Sequence, residues 1–130
     1  MVNDPIGDML ITLKNASRIK KAVVSVPYSK MKEAVANVLV KEGFLSSVEV
    51  KGKKVTNKVL AMVLAEKLDK TIRLTDVRRI SKPGCRVYSP VQDLNKSKRG
   101  IMVVSTSEGL LTNKQAMVKK LGGELLFAIW

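Results

Sequence analysis

The chain has 130 residues, 45% of them hydrophobic, with 24 Lys and Arg against 11 Asp and Glu, a formal charge of +13. That apolar share excludes disorder from low hydrophobicity, and the length suits one compact unit or two small packed ones. So large an excess of cations calls for a polyanionic partner, nucleic acid first and an anionic membrane second, yet no apolar run approaches the ~18 residues of a spanning helix and no lipidation signal is visible.

The opening residues, Met1-Val2-Asn3-Asp4-Pro5, run straight into a helix signal without a signal or transit peptide, so the chain is expected to work where it is made. Asn3 or Asp4 is suited to cap that helix, with Pro5 in its first turn. Ile6, Met9, Leu10 and Leu13 then form one apolar stripe. A basic linker, Arg18 to Lys21, leads to a short strand from Ala22 to Val26 closed by Pro27. Ser29 caps a second helix whose expected buried face is Met31, Ala34, Val35, Val38 and Leu39, with Lys30, Lys32 and Lys41 off that face and Gly43 as its stop. Strands around Leu45 to Lys51 and Val59 to Ala65 complete an α-β-α-β-β half; the connection between them contains Gly52, Lys53 and Lys54.

A seam at Glu66 to Lys70 breaks the apolar run, which places a module boundary between residues 1–66 and 67–130. Beyond it the pattern is mostly strand: Ile72 to Ile80, a Ser81-Lys82-Pro83-Gly84 turn, Cys85 to Tyr88, a helical turn at Val91 to Leu94, a basic loop from Asn95 to Gly100, and Ile101 to Val104. Thr112 and Gln115 make a capping box for a helix ending at Gly122-Gly123, before a last strand from Glu124 to Trp130. Cys85 is expected to be a small buried residue in a strand. The net charge is +5 over residues 1–66 and +8 over 67–130. A chain that bridges RNA spreads its cations this way, whereas a DNA reader with one recognition helix more often concentrates them.

Catalysis finds little to work with. A chain with no histidine lacks the commonest general acid or base and the commonest metal ligand, and the lone Cys85 forms no internal disulfide. Paired carboxylates, a metal cluster and a phosphate-cradling glycine motif are all missing from the sequence, which argues against an RNA nuclease or modifying enzyme. A DNA-binding repressor remains the other alternative. The informative segment is Ser105-Thr106-Ser107-Glu108-Gly109, after an apolar strand and before a capped helix. It reads either as a plain turn or as a loop offering small donors and acceptors to 2′-hydroxyls and base edges.

Ser81-Lys82-Pro83-Gly84-Cys85-Arg86-Val87-Tyr88, Gly100-Ile101, Ser105-Thr106-Ser107-x-Gly109, Thr112, Ala116 and Leu121-Gly122-Gly123-Glu124 together resemble the signature of the family of the eighth protein of the small ribosomal subunit. Asp4-Pro5-Ile6-x-Asp8-Met9-Leu10, Asn15-Ala16, Pro27-x-Ser29-Lys30 and Glu42-Gly43-Phe44 match its bacterial form, so the resemblance covers nearly the whole chain. It implies an α+β fold of two small, tightly packed modules that bind the central domain of small-subunit ribosomal RNA early in assembly. It further implies a monomer within the cytoplasmic ribosome, neighbouring small-subunit proteins as partners, no enzymatic activity, no cofactor, and repression of its own operon through a similar fold in the messenger. The carried-over RNA-binding set is Ser105, Thr106, Ser107 and Gly109 of the loop, Tyr88 for stacking or sugar contact, and Arg86 and Lys82 beside it. Lys30 and Lys32 of the basic N-terminal module join them, with Glu124 as an acceptor for loop hydroxyls or a guanine edge. Three departures bear on phosphate contacts: Lys98-Arg99-Gly100 stands where the family has Gly-Leu-Gly, Glu108 where Lys commonly follows the loop, and Met117 where Arg follows Ala116. Lys98 and Arg99 are therefore expected to carry phosphate contacts moved from the loop.

Overall fold

The computed structural model describes residues 5–52, 58–67, 71–96 and 100–130. The expected caps Asn3 and Asp4, the lysines Lys53 and Lys54, and the pair Lys98 and Arg99 lie outside these residues. The fold is α+β, and the chain divides into two compact units, Asp8–Thr75 and Asp76–Trp130, the latter grouped with the residues before Asp8.

The first half runs α1 (Pro5–Arg18), β1 (Val23–Pro27), α2 (Lys30–Lys41), β2 (Leu45–Lys51) and β3 (Val59–Leu64). The stripe on α1 is buried as its spacing requires, at Ile6, Met9, Leu10, Leu13 and also Ala16. Ser29 caps α2 by accepting from the Lys32 amide at 3.1 Å. At the other end the Phe44 amide reaches Leu39 O (2.9 Å) and the Gly43 amide reaches Val40 O (3.1 Å), a Schellman closure with Gly43 at φ +84°.

The buried face of α2 is turned by one residue from the expected one. Lys32, Val35, Ala36 and Leu39 are inside, Met31 is exposed, and Ala34 and Val38 are half-buried. The inner set still follows the i, i+3, i+4, i+7 spacing. Lys32 fits into it because its stem is apolar and its Nζ finds Pro27 O at 3.1 Å.

The three strands form an antiparallel sheet in the order β1-β3-β2. Val24, Val26, Leu45, Leu60, Met62 and Leu64 are buried. Arg73 and Leu74, read from sequence as part of the second module, hydrogen-bond back into this unit. The Arg73 amide donates to Ala65 O, and the Ser17 hydroxyl donates to Leu74 O.

The second unit contains β4 (Val77–Arg79), β5 (Tyr88–Ser89), a 3-10 helix (Val91–Lys96), β6 (Ile101–Thr106), β7 (Gly109–Thr112), α3 (Asn113–Lys119) and β8 (Gly123–Ile129). Its antiparallel sheet has the order β4-β8-β6-β7, and β5 extends the edge of β8 beyond β4. Leu94, Val104 and Ala116 make one buried cluster, against which Val91, Leu111 and Leu125 pack; Phe127 is fully buried. Buried Asn113 ties the 3-10 helix to β6, donating to Leu94 O at 3.1 Å and accepting from the Met102 amide at 3.2 Å.

Four sequence expectations change here. The run Ile72 to Ile80 is strand only at Val77–Arg79, because its partner β8 ends near Trp130, where Asp76 and Trp130 exchange amide bonds at 3.1 Å. Cys85 is exposed, not buried: it closes a turn with Lys82 through two backbone bonds of 2.9 and 3.0 Å, and strand begins only at Tyr88. Ser105 and Thr106 end β6, and an unforeseen strand, β7, follows Glu108. Finally, α3 stops at Lys120, which takes the left-handed φ of 58° itself, so Gly122-Gly123 is free for another role.

Candidate nucleic-acid interface

The conspicuous polar surface of the second unit is built around the first residues of β8. Glu124 pairs with Tyr88 of β5 on one side and with Ser105 of β6 on the other. Directly opposed residues of an antiparallel sheet project to the same face, about 5 Å apart. Tyr88, Glu124 and Ser105 therefore form one row.

A bulge decides this. Between Val103 and Val104 the register with β8 slips by one residue, so Val103 faces Phe127 while Val104 faces Leu125. Without the slip, Ser105 would face Leu125, and the polar row would be broken by an apolar side chain. The close approach of the strands requires a glycine next door. A Cβ on Gly123 would fall 2.1 Å from Ser105 O, and one on Gly122 would fall 2.6 Å from Ser89 O.

Glu124 is largely buried and anchors the turn that precedes β5. Its Oε2 accepts from the Ser81 hydroxyl and from Arg86 Nη1 at 3.2 Å. Ser81 is fully buried, and its oxygen also accepts the Val87 amide at 3.2 Å. One hydroxyl thus pins the segment from Lys82 to Val87 onto the sheet, with Lys82, Cys85 and Arg86 exposed. Arg86 is half-exposed, so its link to Glu124 fixes direction more than it adds stability. Tyr88 is 70% exposed, which rules out a core role for its ring.

The Ser-Thr-Ser segment is the tip of the β6–β7 hairpin. Thr106 pairs with Gly109 across a turn of Ser107 and Glu108. Among these four only Gly109 takes positive φ, +100°, the bulge position of a three-residue hairpin loop. The Thr106 hydroxyl is consumed in closing the turn: it donates to Gly109 O at 2.8 Å and accepts the Glu108 amide at 3.2 Å. Ser107 is exposed and Ser105 half-buried. Glu108, the anion that departs from the family pattern, is paired with Lys119 of α3 at 3.1 Å.

Ser105, Thr106, Ser107, Gly109, Tyr88, Arg86, Lys82 and Glu124 thus all belong to one unit, and the sheet aligns three of them. Lys30 and Lys32 belong to the other unit. Lys30 is exposed, whereas Lys32 is buried against the chain before α2. Sequence reasoning placed Ser81 in a turn and Gly123 at a helix end and gave neither a part in this surface. Ser81 carried no local signal, since its partners are 6 and 43 residues away. The hairpin did carry one: Gly109 two residues after Ser107, between apolar runs, is the pattern of a three-residue loop.

An exposed ring, hydroxyls and a cation-bearing turn thus stand together on one sheet. Comparison with known proteins supplies the family. The model of the family described as Ribosomal protein S8 matches residues 4–130. The chain is 41% identical over 131 residues to the small ribosomal subunit protein uS8 of Dictyoglomus thermophilum, covering 99% of this chain and 98% of that protein. It is 40% identical over 134 residues to the uS8 protein of Streptococcus equi subsp. zooepidemicus (100% and 99% covered). To the uS8c protein of Tetradesmus obliquus it is 39% identical over 139 residues, with both chains fully covered. The chain belongs to the ribosomal protein S8 family. It is a structural constituent of the ribosome and not an enzyme.

Proposed function

We propose that the second unit binds the central domain of small-subunit ribosomal RNA and helps that domain fold as the subunit assembles. The observation that carries this reading is the row Tyr88–Glu124–Ser105, an exposed ring, a carboxylate and a hydroxyl side by side on one sheet face. Tyr88 stacks on an unpaired base or rests against a sugar, as aromatic side chains do in RNA recognition. Ser105 and Ser107 exchange hydrogen bonds with 2′-hydroxyls and base edges, and the Glu124 carboxylate accepts from a 2′-hydroxyl or a guanine edge. Gly109 lets the backbone of the hairpin tip approach closely, since a Cβ there would occupy open space. Lys82, Arg86, Lys98 and Arg99 on this unit, and Lys30 on the other, contact phosphates, which position without specifying. Thr106 and Lys32 serve the fold: the first closes the hairpin, and the second occupies Pro27 O. The protein acts as a monomer beside other ribosomal proteins. The same surface, offered a similar fold in the messenger of its own operon, represses translation.

The test is a variant with Ser105→Ala and Ser107→Ala, Thr106 being kept. Affinities for a central-domain fragment and for unrelated structured RNA are measured at one salt concentration, with melting as the folding control. The fold persists, and specific affinity falls by about 1–3 kcal/mol for each buried hydrogen bond lost. Non-specific affinity, set by cations, is retained and falls steeply with added salt. An unchanged ratio of specific to non-specific affinity in the folded variant overturns the reading. Competition by a fragment of the operon messenger tests the regulatory part.

A further inference from the structure

The β6–β7 hairpin ends in two apical residues of unlike chemistry. Ser107 offers a hydroxyl and Glu108 a carboxylate, with their Cα atoms about 3.8 Å apart. The carboxylate is tied to the helix: Glu108 Oε2 meets Lys119 Nζ of α3 at 3.1 Å. Glu108 is 55% and Lys119 52% exposed, and an ion pair so placed contributes little to stability. The fold is secured on both sides without it. The Thr106 hydroxyl holds the Glu108 amide and Gly109 O, while α3 is held by its capping box and by Ala116 packed with Val104.

The pair acts instead on the charge that the hairpin tip shows to RNA. Its two charges sum to zero in a chain that carries +13. Lys119 lies behind the sheet from the row Tyr88–Glu124–Ser105, because Ala116 of α3 packs with Val104 and Ser105, the next residue of β6, turns to the opposite face. Its ammonium nonetheless reaches the tip, since it meets Glu108 there. Released from the carboxylate, it would reach a phosphate at the same place. With Glu108 present, a phosphate brought to Ser107 stands within about 8 Å of a like charge, the screening length at physiological ionic strength. A 2′-hydroxyl or a base amino group brought there meets an acceptor.

Specificity is a difference of affinities, and weakening the wrong partner serves it as well as holding the right one. Every RNA has phosphates, so a cation beside the reading hydroxyls would hold any RNA alike. We infer that Glu108 is a specificity-determining residue of the RNA surface. Its carboxylate occupies Lys119 and bars phosphates from the hairpin tip, so that RNA settles there only by presenting hydroxyl or amino donors beside Ser107. The inference rests on the reading of this unit as an RNA-binding surface and deepens it.

Glu108→Gln keeps the shape of the side chain and removes its charge. Affinities of the whole protein for a central-domain fragment and for unrelated structured RNA are measured across a salt series. Glu49→Gln, at an exposed position of the other unit, makes the same change in net charge and serves as the control. In Glu108→Gln, affinity for unrelated RNA rises about fivefold, and its slope of log affinity against log salt steepens by about 0.7–0.9, the yield of one added phosphate contact. Affinity for the fragment changes by less than about twofold, because its contacts at the tip are hydroxyls and base edges. Glu49→Gln leaves the ratio of the two affinities where it was. Adding Lys119→Ala to Glu108→Gln restores the parent slope, since the new contact is the released lysine.

Equal gains for both RNAs are the work of net charge alone and overturn the inference. Unchanged affinity for unrelated RNA overturns it too, as does a slope that stays steep without Lys119. A loss confined to the fragment would make the carboxylate a direct contact and overturns the exclusion of phosphates. Melting curves, expected to stay where they are for so exposed a pair, confirm that each variant is folded. Failure of the RNA reading itself appears elsewhere, as an unchanged ratio in the variant with Ser105→Ala and Ser107→Ala. Failure of this inference alone leaves that ratio lowered and the Glu108→Gln ratio unmoved.

Discussion

Replacing Ser81 with Ala removes one oxygen that holds two groups. The Val87 amide loses its acceptor at 3.2 Å, and Glu124 loses the hydroxyl bound to Oε2. A buried donor left unsatisfied costs about 1–3 kcal/mol, and a hydrogen bond to a charged group is worth about 1.5–3 kcal/mol. The two do not add in full. Glu124 keeps Arg86 at 3.2 Å and retains 18% of its side-chain exposure, so water replaces part of what is lost. The expected destabilisation is about 2–3 kcal/mol, or about 8–12 °C in melting temperature for a chain of this size. Urea unfolding followed by the fluorescence of Trp130, the chain's one tryptophan and a residue of the same unit, reports it directly. A double-mutant cycle with Glu124→Ala isolates the shared bond, with an expected coupling of about 1–2 kcal/mol. Specific RNA affinity falls further than the folded fraction explains, because the segment carrying Lys82 and Arg86 is no longer pinned. A loss below about 0.5 kcal/mol, or a coupling of zero, refutes the view that Ser81 ties this segment to β8.

Three further substitutions test the geometry. Lys120→Gly relieves a left-handed conformation that costs an L side chain about 1–2 kcal/mol, partly offset by the entropy glycine adds to the unfolded chain, so unfolding in urea should show a gain of about 0.5–1 kcal/mol. Gly123→Ala drives a Cβ to 2.1 Å from a backbone carbonyl that has no flexible end to move, and a loss of about 3 kcal/mol is expected, with β6 and β8 forced apart and specific RNA binding abolished. Gly84→Ala is the contrasting case: its Cβ meets nothing within 4 Å and its φ is not left-handed, so stability in the same assay stays within about 0.5 kcal/mol.

Features legible in the sequence were those whose cause lies within a few residues. The capping box of Thr112 and Gln115 is present as expected, with bonds of 3.1 and 3.2 Å, because both partners lie within one turn of helix. The cap at Ser29, the closure at Gly43, the stripe on α1 and the α-β-α-β-β order are of the same kind. Cation excess and the lack of histidine pointed to a nucleic-acid partner and away from catalysis, while the family entered through the resemblance of the ordered motifs, which needs no coordinates.

Only the tertiary structure decided where those features meet. Strand length was set by the partner available: Ile72 to Ile80 reads as one strand, but β8 reaches only as far as Trp130, and the residues before Asp76 bond to the other unit. Lys32 is inside because Pro27 O, five residues away across a bend, offers it an acceptor that no helical pattern reveals. The row Tyr88–Glu124–Ser105 depends on a one-residue slip between two strands that are separated in the chain by a hairpin and a helix. Side chains alternate faces at every step of a strand, so that slip exchanges the whole set turned outward. The sequence by itself determined which polar groups are available; pairing between distant strands determined that Glu124, and not Leu125, stands in the row with Tyr88 and Ser105.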